Sequence, residues 1–391
     1  MNILYVTTEY EGYGIARGIG AYLKEISQQL VLEGHFVSII TLTTNKNLIG
    51  EKKFSKNLLV VGIYVPSYFK SLIHLIYAIK LFVILPKIIV KYHIDIIEST
   101  DYAYPTVFYN LLKKVPVVVR MHTPGSYLLK FEKQSFFKKI YQNWLKFLEK
   151  INIKFSTCLS FPSSVLKEEI LKMFSPKQEI IIIPNGISIS EKINQDSFKK
   201  GQNSKIIFYL GGLSYRKGID LLVKSCDLAF LRRPDINMKC IIAGPNNLDL
   251  SFNQFLEINA HKENLQKFIY LGEIGGREKI ELFSKATIFL FLSRWENFSM
   301  VILEAMKYGV PLIVLSSPGI REILTEKEAV IIKEEDPEKI SQEIIELMKE
   351  KERRFYLVEN AKIKLKEFDI KKISSQILKF YNQVIQKYGK K

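Results

Sequence analysis

The chain has 391 residues, which is about two or three domains, with 47% hydrophobic and 25% charged side chains, a globular balance that excludes disorder, collagen and fibre. Cys158, Cys226 and Cys240 are too few and too scattered for a disulfide framework or a CxxC zinc site, so a reducing cytoplasm is the expected setting. The net charge of +17 favours anionic partners, although a composition rich in Lys, Ile, Asn and Phe also follows from base bias alone.

In chain order, MNILYVTTEY lacks a positive n-region and an apolar h-region, so no signal peptide is expected. Asn2 to Thr7 reads as a strand and is followed by a loop with glycines at Gly12, Gly14, Gly18 and Gly20. An amphipathic helix over Ala21 to Leu32 stops at Gly34, and His35 to Leu42 is a second strand. Further short apolar runs are Ile94 to Glu98, Val115 to Met121, Thr157 to Phe161 and Glu179 to Ile183. Helical periodicity fills Tyr68 to Lys91 and Lys130 to Lys154. The apolar stretch Leu72 to Val90 is interrupted by His74, Lys80, Pro86 and Lys87, and is not expected to span a membrane.

Ser190 to Ser204 is polar and reads as a linker, after which the pattern restarts. Strands are expected at Lys205 to Leu210, Met238 to Ala243, Lys267 to Leu271, Thr287 to Leu292, Pro311 to Leu315 and Ala329 to Ile332. From Asp336 onward the chain is helical and charged. Alternation of this kind predicts an α/β fold of two doubly wound, Rossmann-like domains facing each other across a cleft. The expected division is 1–190, a linker at 191–204, 205–370, and a helix at 371–391 packing back on the first domain.

Four stretches carry chemistry. The loop after the first strand offers close backbone approach at Gly18 and Gly20 and a helix N-terminus suited to an anion, though it is neither a Walker loop nor a clean GxGxxG. Gly211 to Gly218 again follows a strand and adds Arg216 and Lys217, a fork and a point charge suited to a diphosphate, or else a solvated turn. In Ser293 to Met306, Asn297 is expected to cap a helix stopped by Gly309, aiming the N–H groups of Phe298, Ser299 and Met300 at a phosphate. Glu296 and Glu304 stand eight residues apart, roughly 12 Å along a helix, too far for a glycosidase carboxyl pair and better suited to gripping two ends of a long ligand. Glu304 lies in an apolar run and needs a hydrogen-bonding partner. His122, just past a strand's carboxyl end, is a cleft candidate against the ordinary reading of a satisfied structural histidine.

Together these stretches resemble the retaining glycosyltransferases of family 4, which have the GT-B fold. The likeness rests on GIGAYLKEISQQLVLEGHFVSIIT, IIPNGIS with Asn185 and Gly186, GGLSYRKG, and ENFSMVILEAMKYGVPLI, whose E-x7-E and "EAM-x-x-G-x-P" pattern is the most specific. The chain departs from the pattern at Gly212, where the family has Arg, and at Asn297 and Ser299, where it often has glycine. The resemblance implies that Lys217 and Arg216 hold the donor diphosphate and that Glu304 holds the nucleotide ribose. Glu296 and His122 would act at the donor sugar. Asn297, Phe298 and Ser299 would contact sugar or phosphate, and Gly18 and Gly20 would admit the phosphate. Glu98 and Asp101, with Asp95, would lie toward the acceptor.

It further implies transfer with retention from a nucleotide-diphosphate sugar, a UDP-sugar being favoured over a GDP-sugar, with no cofactor and no obligatory metal. The acceptor would be a glycan or a lipid-linked one, in surface polysaccharide or glycolipid synthesis at the cytoplasmic side. The alternatives are a non-hydrolysing nucleotide-sugar epimerase of the same fold and a catalytically silent partner of another glycosyltransferase. Lys130 to Lys154 carries seven lysines against Glu132 and Glu149 with aromatics interleaved, a surface for an anionic membrane, to which Tyr68 to Lys91 could add. Nucleic acid is not an expected partner, since no binding signature accompanies the charge, which is spread over both halves.

Overall fold

A computed structural model describes residues 1–13, 17–69, 72–112, 114–131, 136–189 and 204–389, the side chains of 69 and 136–138 excepted. All of the expected linker but Ser204 lies outside the described residues. The chain divides into a first unit, Met1–Ser188 with Asp369–Lys391, and a second, Ile189–Phe368.

The first unit runs β1 (Asn2–Thr7), α1 (Gly18–Leu32), β2 (Phe36–Thr43), β3 (Gly50–Ser55), β4 (Leu58–Tyr64), α2 (Ile73–Tyr92), β5 (Ile96–Thr100) and β6 (Val117–Arg120). It continues through α3 (Gly125–Leu128), α4 (Phe136–Phe155), β7 (Cys158–Phe161), α5 (Ser164–Phe174) and β8 (Glu179–Ile182). The second unit runs β9 (Ile206–Leu210), α6 (Ile219–Arg232), β10 (Lys239–Ala243), α7 (Phe252–Asn259), β11 (Phe268–Tyr270), α8 (Gly276–Lys285) and β12 (Ile288–Phe291). It ends with α9 (Met300–Lys307), β13 (Leu312–Leu315), α10 (Pro318–Arg321), β14 (Val330–Ile332), α11 (Pro337–Lys349) and α12 (Lys351–Leu365). The last helix, α13 (Ile370–Tyr388), returns to the first unit.

Each unit is one sheet, ordered β3-β4-β2-β1-β5-β6-β7-β8 and β11-β10-β9-β12-β13-β14. Every pairing is parallel except β3 with β4. Parallel sheets covered on both faces need strands apolar throughout, and β12 (IFLF) and β13 (LIVL) are buried at every position. In both units the order reverses beside the first strand, so a topological switch point lies between β1 and β5 and another between β9 and β12.

The hairpin β3–β4 is not among the strands expected from the sequence. β3 carries Lys52 and Lys53 on an exposed edge, and an edge strand with charged side chains looks like a loop in hydropathy. Helix α2 continues through Pro86, and an 18-residue window reaches a mean hydropathy of 2.1, the length and character of a membrane span. Yet Tyr77, Ala78, Leu81 and Leu85 are buried, and the Tyr77 hydroxyl donates to Thr7 and Ile40 carbonyls at 2.7 and 3.2 Å. One face of α2 therefore packs on the sheet.

The first unit is pinned by a buried polar cluster. The Arg120 guanidinium lies 4.4 Å from the Tyr22 ring centre and donates to the Ile183 carbonyl and the Asn185 Oδ1 at 2.9 and 2.7 Å. Glu98 accepts from the Tyr22 hydroxyl at 2.8 Å and the Tyr381 hydroxyl at 2.6 Å. A buried charge persists only with such partners. The cluster joins β5, β6, α1 and the exit at Asn185 to α13. Gly186 is fixed by the same packing, since a Cβ there would stand 2.9 Å from Ile370.

Candidate donor-binding site

In the second unit the loops after β9 and β12 flank the switch point, where ligands of open α/β sheets bind. Gly218 ends the first loop with φ of +71°, and a Cβ on it would lie 2.0 Å from the Leu292 carbonyl oxygen. Only glycine permits that approach. It draws Lys217 toward the second loop, where Lys217 Nζ pairs with Glu296. Arg216 Nη1 donates to the Trp295 carbonyl at 3.2 Å, and the Arg216 carbonyl accepts from Arg294 N–H at 2.9 Å.

The pair is largely buried, at 19% side-chain exposure for Lys217 and 9% for Glu296. Burial presses the Glu296 carboxyl upward, but Lys217 and Arg216 outweigh it and hold it below the ordinary carboxylate range. Burial, opposed by Glu296 and helped by Arg216, pushes the Lys217 ammonium down from its usual value. Free protein thus carries its own carboxylate against the cations that a diphosphate would need.

Asn297 is not the helix cap. Helix α9 starts at Met300 with Ser299 at the N-cap and no side-chain capping bond. The reason is the neighbouring loop: a Cβ on Gly319 would meet the Glu296 and Asn297 carbonyl oxygens at 2.3 and 2.4 Å. The backbone at 296–297 is pressed on the start of α10 and turns helical three residues after Asn297. Glu296 therefore precedes the helix, and a single helix axis does not measure its distance to Glu304. The Phe298 ring packs edge-on to Phe368 at 5.6 Å, leaving its backbone as the part available to a ligand.

Glu304 projects from α9, and its Oε1 lies 2.6 Å from Lys279 Nζ on α8. That is the partner its apolar run demanded. Three further residues were not singled out in the sequence. Arg294 makes two bonds to Asp220 at 2.7 and 2.9 Å, pairs with Glu335, and stacks 3.8 Å from the Tyr215 ring centre, clamping both loops. Asn247 Nδ2 stands 2.6 Å from where a Cβ of residue 212 would be, so Asn247 fills the space that the family's Arg would enter. Lys279 is the third. Their partners are distant in sequence, and only motif spacing is local.

In the first unit, the start of α1 meets Glu9, whose Oε2 accepts from Arg17 N–H at 3.1 Å. Burial raises the Glu9 carboxyl against the Arg17 and Gly20 N–H groups that hold it down. A methyl group on Gly18 would meet nothing within 4 Å, so open space lies over it, whereas Gly20 is buried. His122 is held through its backbone: its N–H donates to Asp101 Oδ1 at 2.7 Å and Thr123 N–H to Oδ2 at 3.1 Å. Its ring lies 5.4 Å from the Tyr22 ring. Burial, with Arg120 adding to it, lowers the imidazole to about 3, so it stays neutral.

Glu98 and Asp101 are both buried, with their oxygens engaged inside the unit by Tyr22, Tyr381, His122 and Thr123. Burial raises Asp101 to about 7 against backbone N–H bonds that lower it. Next to it, burial raises Glu149 to about 7, against bonds from Ser126 that lower it. Asp95 is on the surface and accepts from Asn2 N–H at 2.7 Å. Asp101 thus holds the loop that carries His122, and the oxygens of Glu98 and Asp101 are engaged within the unit. Among the described residues no group of three His, Cys, Asp or Glu side chains is placed to hold a metal.

Comparison with known proteins bears on this arrangement. The profile of Glycosyltransferase Family 4 matches residues 16–191, and that of Glycosyl transferases group 1 matches residues 190–364. An uncharacterized glycosyltransferase of Methanocaldococcus jannaschii is 30% identical over 213 residues, 51% of this chain and 53% of the relative, so the match spans about half its length. A human phosphatidylinositol N-acetylglucosaminyltransferase chain is 26% identical over 79% of this chain and 61% of its own. Among solved structures, a sucrose-phosphate synthase from Thermosynechococcus elongatus superposes with a TM-score of 0.79 at 18% identity, over 99% of this chain and 100% of the other. Anabaena HepE, in complex with UDP and glucose, gives 0.71 at 17% over 98% and 100%. At these identities the two structures speak for the fold.

Proposed function

This chain belongs to the family 4 glycosyltransferases of GT-B fold, and we propose that it moves a sugar with retention from a nucleotide-diphosphate sugar to a glycan or lipid-linked acceptor. The observation that carries the donor reading is the convergence of Arg216, Lys217, Glu296 and the start of α9 at the switch point of the second sheet. The likeness to HepE, which binds UDP and glucose, favours a UDP-sugar over a GDP-sugar. The likeness to a phosphatidylinositol N-acetylglucosaminyltransferase chain supports a lipid-linked acceptor, and we assign the reaction to surface polysaccharide or glycolipid synthesis at the cytoplasmic face of a membrane.

The roles follow from the chemistry of each group. Lys217 and Arg216 neutralise the diphosphate, and the N–H groups of Phe298, Ser299 and Met300 meet its oxygens or the sugar. Glu304 accepts the ribose hydroxyls. Glu296, released from Lys217 as the diphosphate arrives, turns to the sugar hydroxyls, with Asn297 beside it. Neutral His122 hydrogen-bonds the sugar and does not act as an acid. Gly18 leaves room for phosphate over the start of α1. In the transfer, the bond from the anomeric carbon to the diphosphate oxygen breaks. The acceptor oxygen bonds to that carbon on the same face, and its proton passes to the departing diphosphate. Cations and oriented N–H groups stabilise the charge that develops.

Thermal unfolding with UDP, GDP and ADP tests this reading, beside Glu304→Ala. A nucleotide at 100 times its dissociation constant stabilises by about 2.7 kcal/mol. We expect UDP to raise the melting temperature of wild type and to raise that of the variant by half as much or less. No shift with any nucleotide overturns the donor reading. Turnover of the sugar nucleotide with no acceptor present would mark an epimerase instead.

A further inference from the structure

Helices α2 and α4 cover the same side of the first unit. Ala78 of α2 and Leu145 and Leu148 of α4 enter one core cluster with Tyr104 and Val107. The 3₁₀ turn Tyr109–Leu111 lies against both helices. What these elements turn outward is unusual for a protein surface.

On α2, Ile79, Val83 and Val90 are exposed, Val83 to 57% and Val90 to 74%. Their spacing of four and seven places them on one face. Lys80, Lys87 and Lys91, spaced by seven and four, fall together on the adjoining face and edge the stripe. Lys80 reaches the Tyr64 carbonyl and Lys91 pairs with Glu51, while Lys87 is exposed. On α4, Ile140 and Phe147 are exposed, Phe147 to 60%, beside Lys139, Lys146, Lys150 and Lys154. Leu111, at the turn that both helices touch, is exposed as well.

No carboxylate answers these lysines from their own helices. α2 contains neither Asp nor Glu. The one acid of α4, Glu149, is buried and bonded to Ser126. A face of exposed aliphatic side chains ringed by lysines, on a chain of net charge +17, matches the two forces that a bilayer of anionic lipid supplies. Acyl chains receive the apolar stripe, and headgroups receive the ammonium groups.

We propose that the α2–α4 face of the first unit seats on an anionic lipid bilayer, with both helices lying in the interface. The chain is peripheral in this seating: the inner face of α2 remains on its sheet. The membrane contact expected of residues 130–154 becomes half of a two-helix platform. The inference stands apart from the donor site, because binding to vesicles needs no nucleotide.

The test is flotation of the full chain with vesicles of phosphatidylcholine, with and without about a third phosphatidylglycerol, at roughly 0.05 and 0.5 M salt. Expected is flotation with anionic vesicles at low salt and loss at high salt. Lys146→Gln/Lys150→Gln should weaken binding roughly 30-fold, at about five-fold per lysine. Ile79→Ser/Val83→Ser should weaken it too, although it lies on the other helix. Unchanged melting temperature and UDP response in each variant show that fold and donor site are intact. Three results overturn the proposal: wild type that ignores anionic vesicles, an α2 variant that floats like wild type, or a dimer that the α2 variant dissolves while vesicles go unbound. The last would assign the face to a second copy of this chain.

Discussion

Removing the Lys217 ammonium should destabilise the second unit as well as disable it. In Lys217→Ala the Glu296 carboxylate, 9% exposed, loses its cation and stays buried. Breaking a buried pair from one side costs about 3–5 kcal/mol. Arg216, which also lowers Glu296, should keep the cost near the lower figure, about 3 kcal/mol. For a unit spanning Ile189–Phe368, each kcal/mol moves the midpoint by roughly 2–4 °C, so a fall of about 6–12 °C is expected. Lys217→Ala with Glu296→Gln removes both charges and should recover at least half of that loss. Differential scanning calorimetry of wild type, both single variants and the double variant measures the coupling directly. Neither variant that lacks Lys217 should respond to UDP, whereas Glu296→Gln, which keeps the cation, should. A Lys217→Ala midpoint within a degree or two of wild type, or losses that simply add, would refute the buried-pair account.

Three more outcomes are expected. Glu304→Ala should weaken UDP binding roughly 10- to 100-fold by calorimetric titration, the worth of charged hydrogen bonds, and Lys279→Met by less, with the two effects non-additive because Lys279 holds Glu304 at 2.6 Å. Gly218→Ala should lower both the second unit's melting temperature and its UDP affinity, since strain at a φ of +71° costs about 1–3 kcal/mol and the added methyl meets the Leu292 carbonyl. The third concerns pH. Burial raises Asp101 from 3.8 to about 7, so the folded state favours the neutral carboxyl. That contribution is complete below 3.8 and is lost as pH rises to about 7. Melting curves of wild type and Asp101→Asn from pH 4 to 8 should diverge across that window; parallel curves would count against the assignment.

The six strands of the second sheet were legible because buried parallel strands are continuous apolar runs between polar loops, as LIVL at Leu312–Leu315 shows. The first sheet's hairpin was not, since β3 exposes its lysines on an edge; the run Leu58–Tyr64 was the usable signal for its partner. At the site, Lys217, Glu296 and Glu304 stood out through spacing. Their companions did not, because Lys279 with Glu304 and Arg294 with Asp220 are pairs made by the fold. The cap was misplaced at Asn297 for a similar reason: propensity favours Asn, and the crowding by Gly319 is a tertiary fact. His122, Glu98 and Asp101 show the same limit, since burial decides what each can offer and sequence carries burial only as a pattern.

The return of α13 has a consequence for synthesis. Tyr381 supplies one of the two hydroxyls on Glu98, and Ile373, Ile377, Phe380 and Val384 complete the core built on β1, β2 and α1. The whole of Ile189–Phe368 is translated between the two parts of that core. At 5–20 residues per second the first sheet waits roughly 10–40 s on the ribosome with Glu98 half-satisfied and an apolar face uncovered. The second unit, continuous in sequence, can fold during that wait. The domain begun first is therefore the one finished last, and a chain cut after Phe368 should yield a folded C-terminal half tethered to an aggregation-prone N-terminal one.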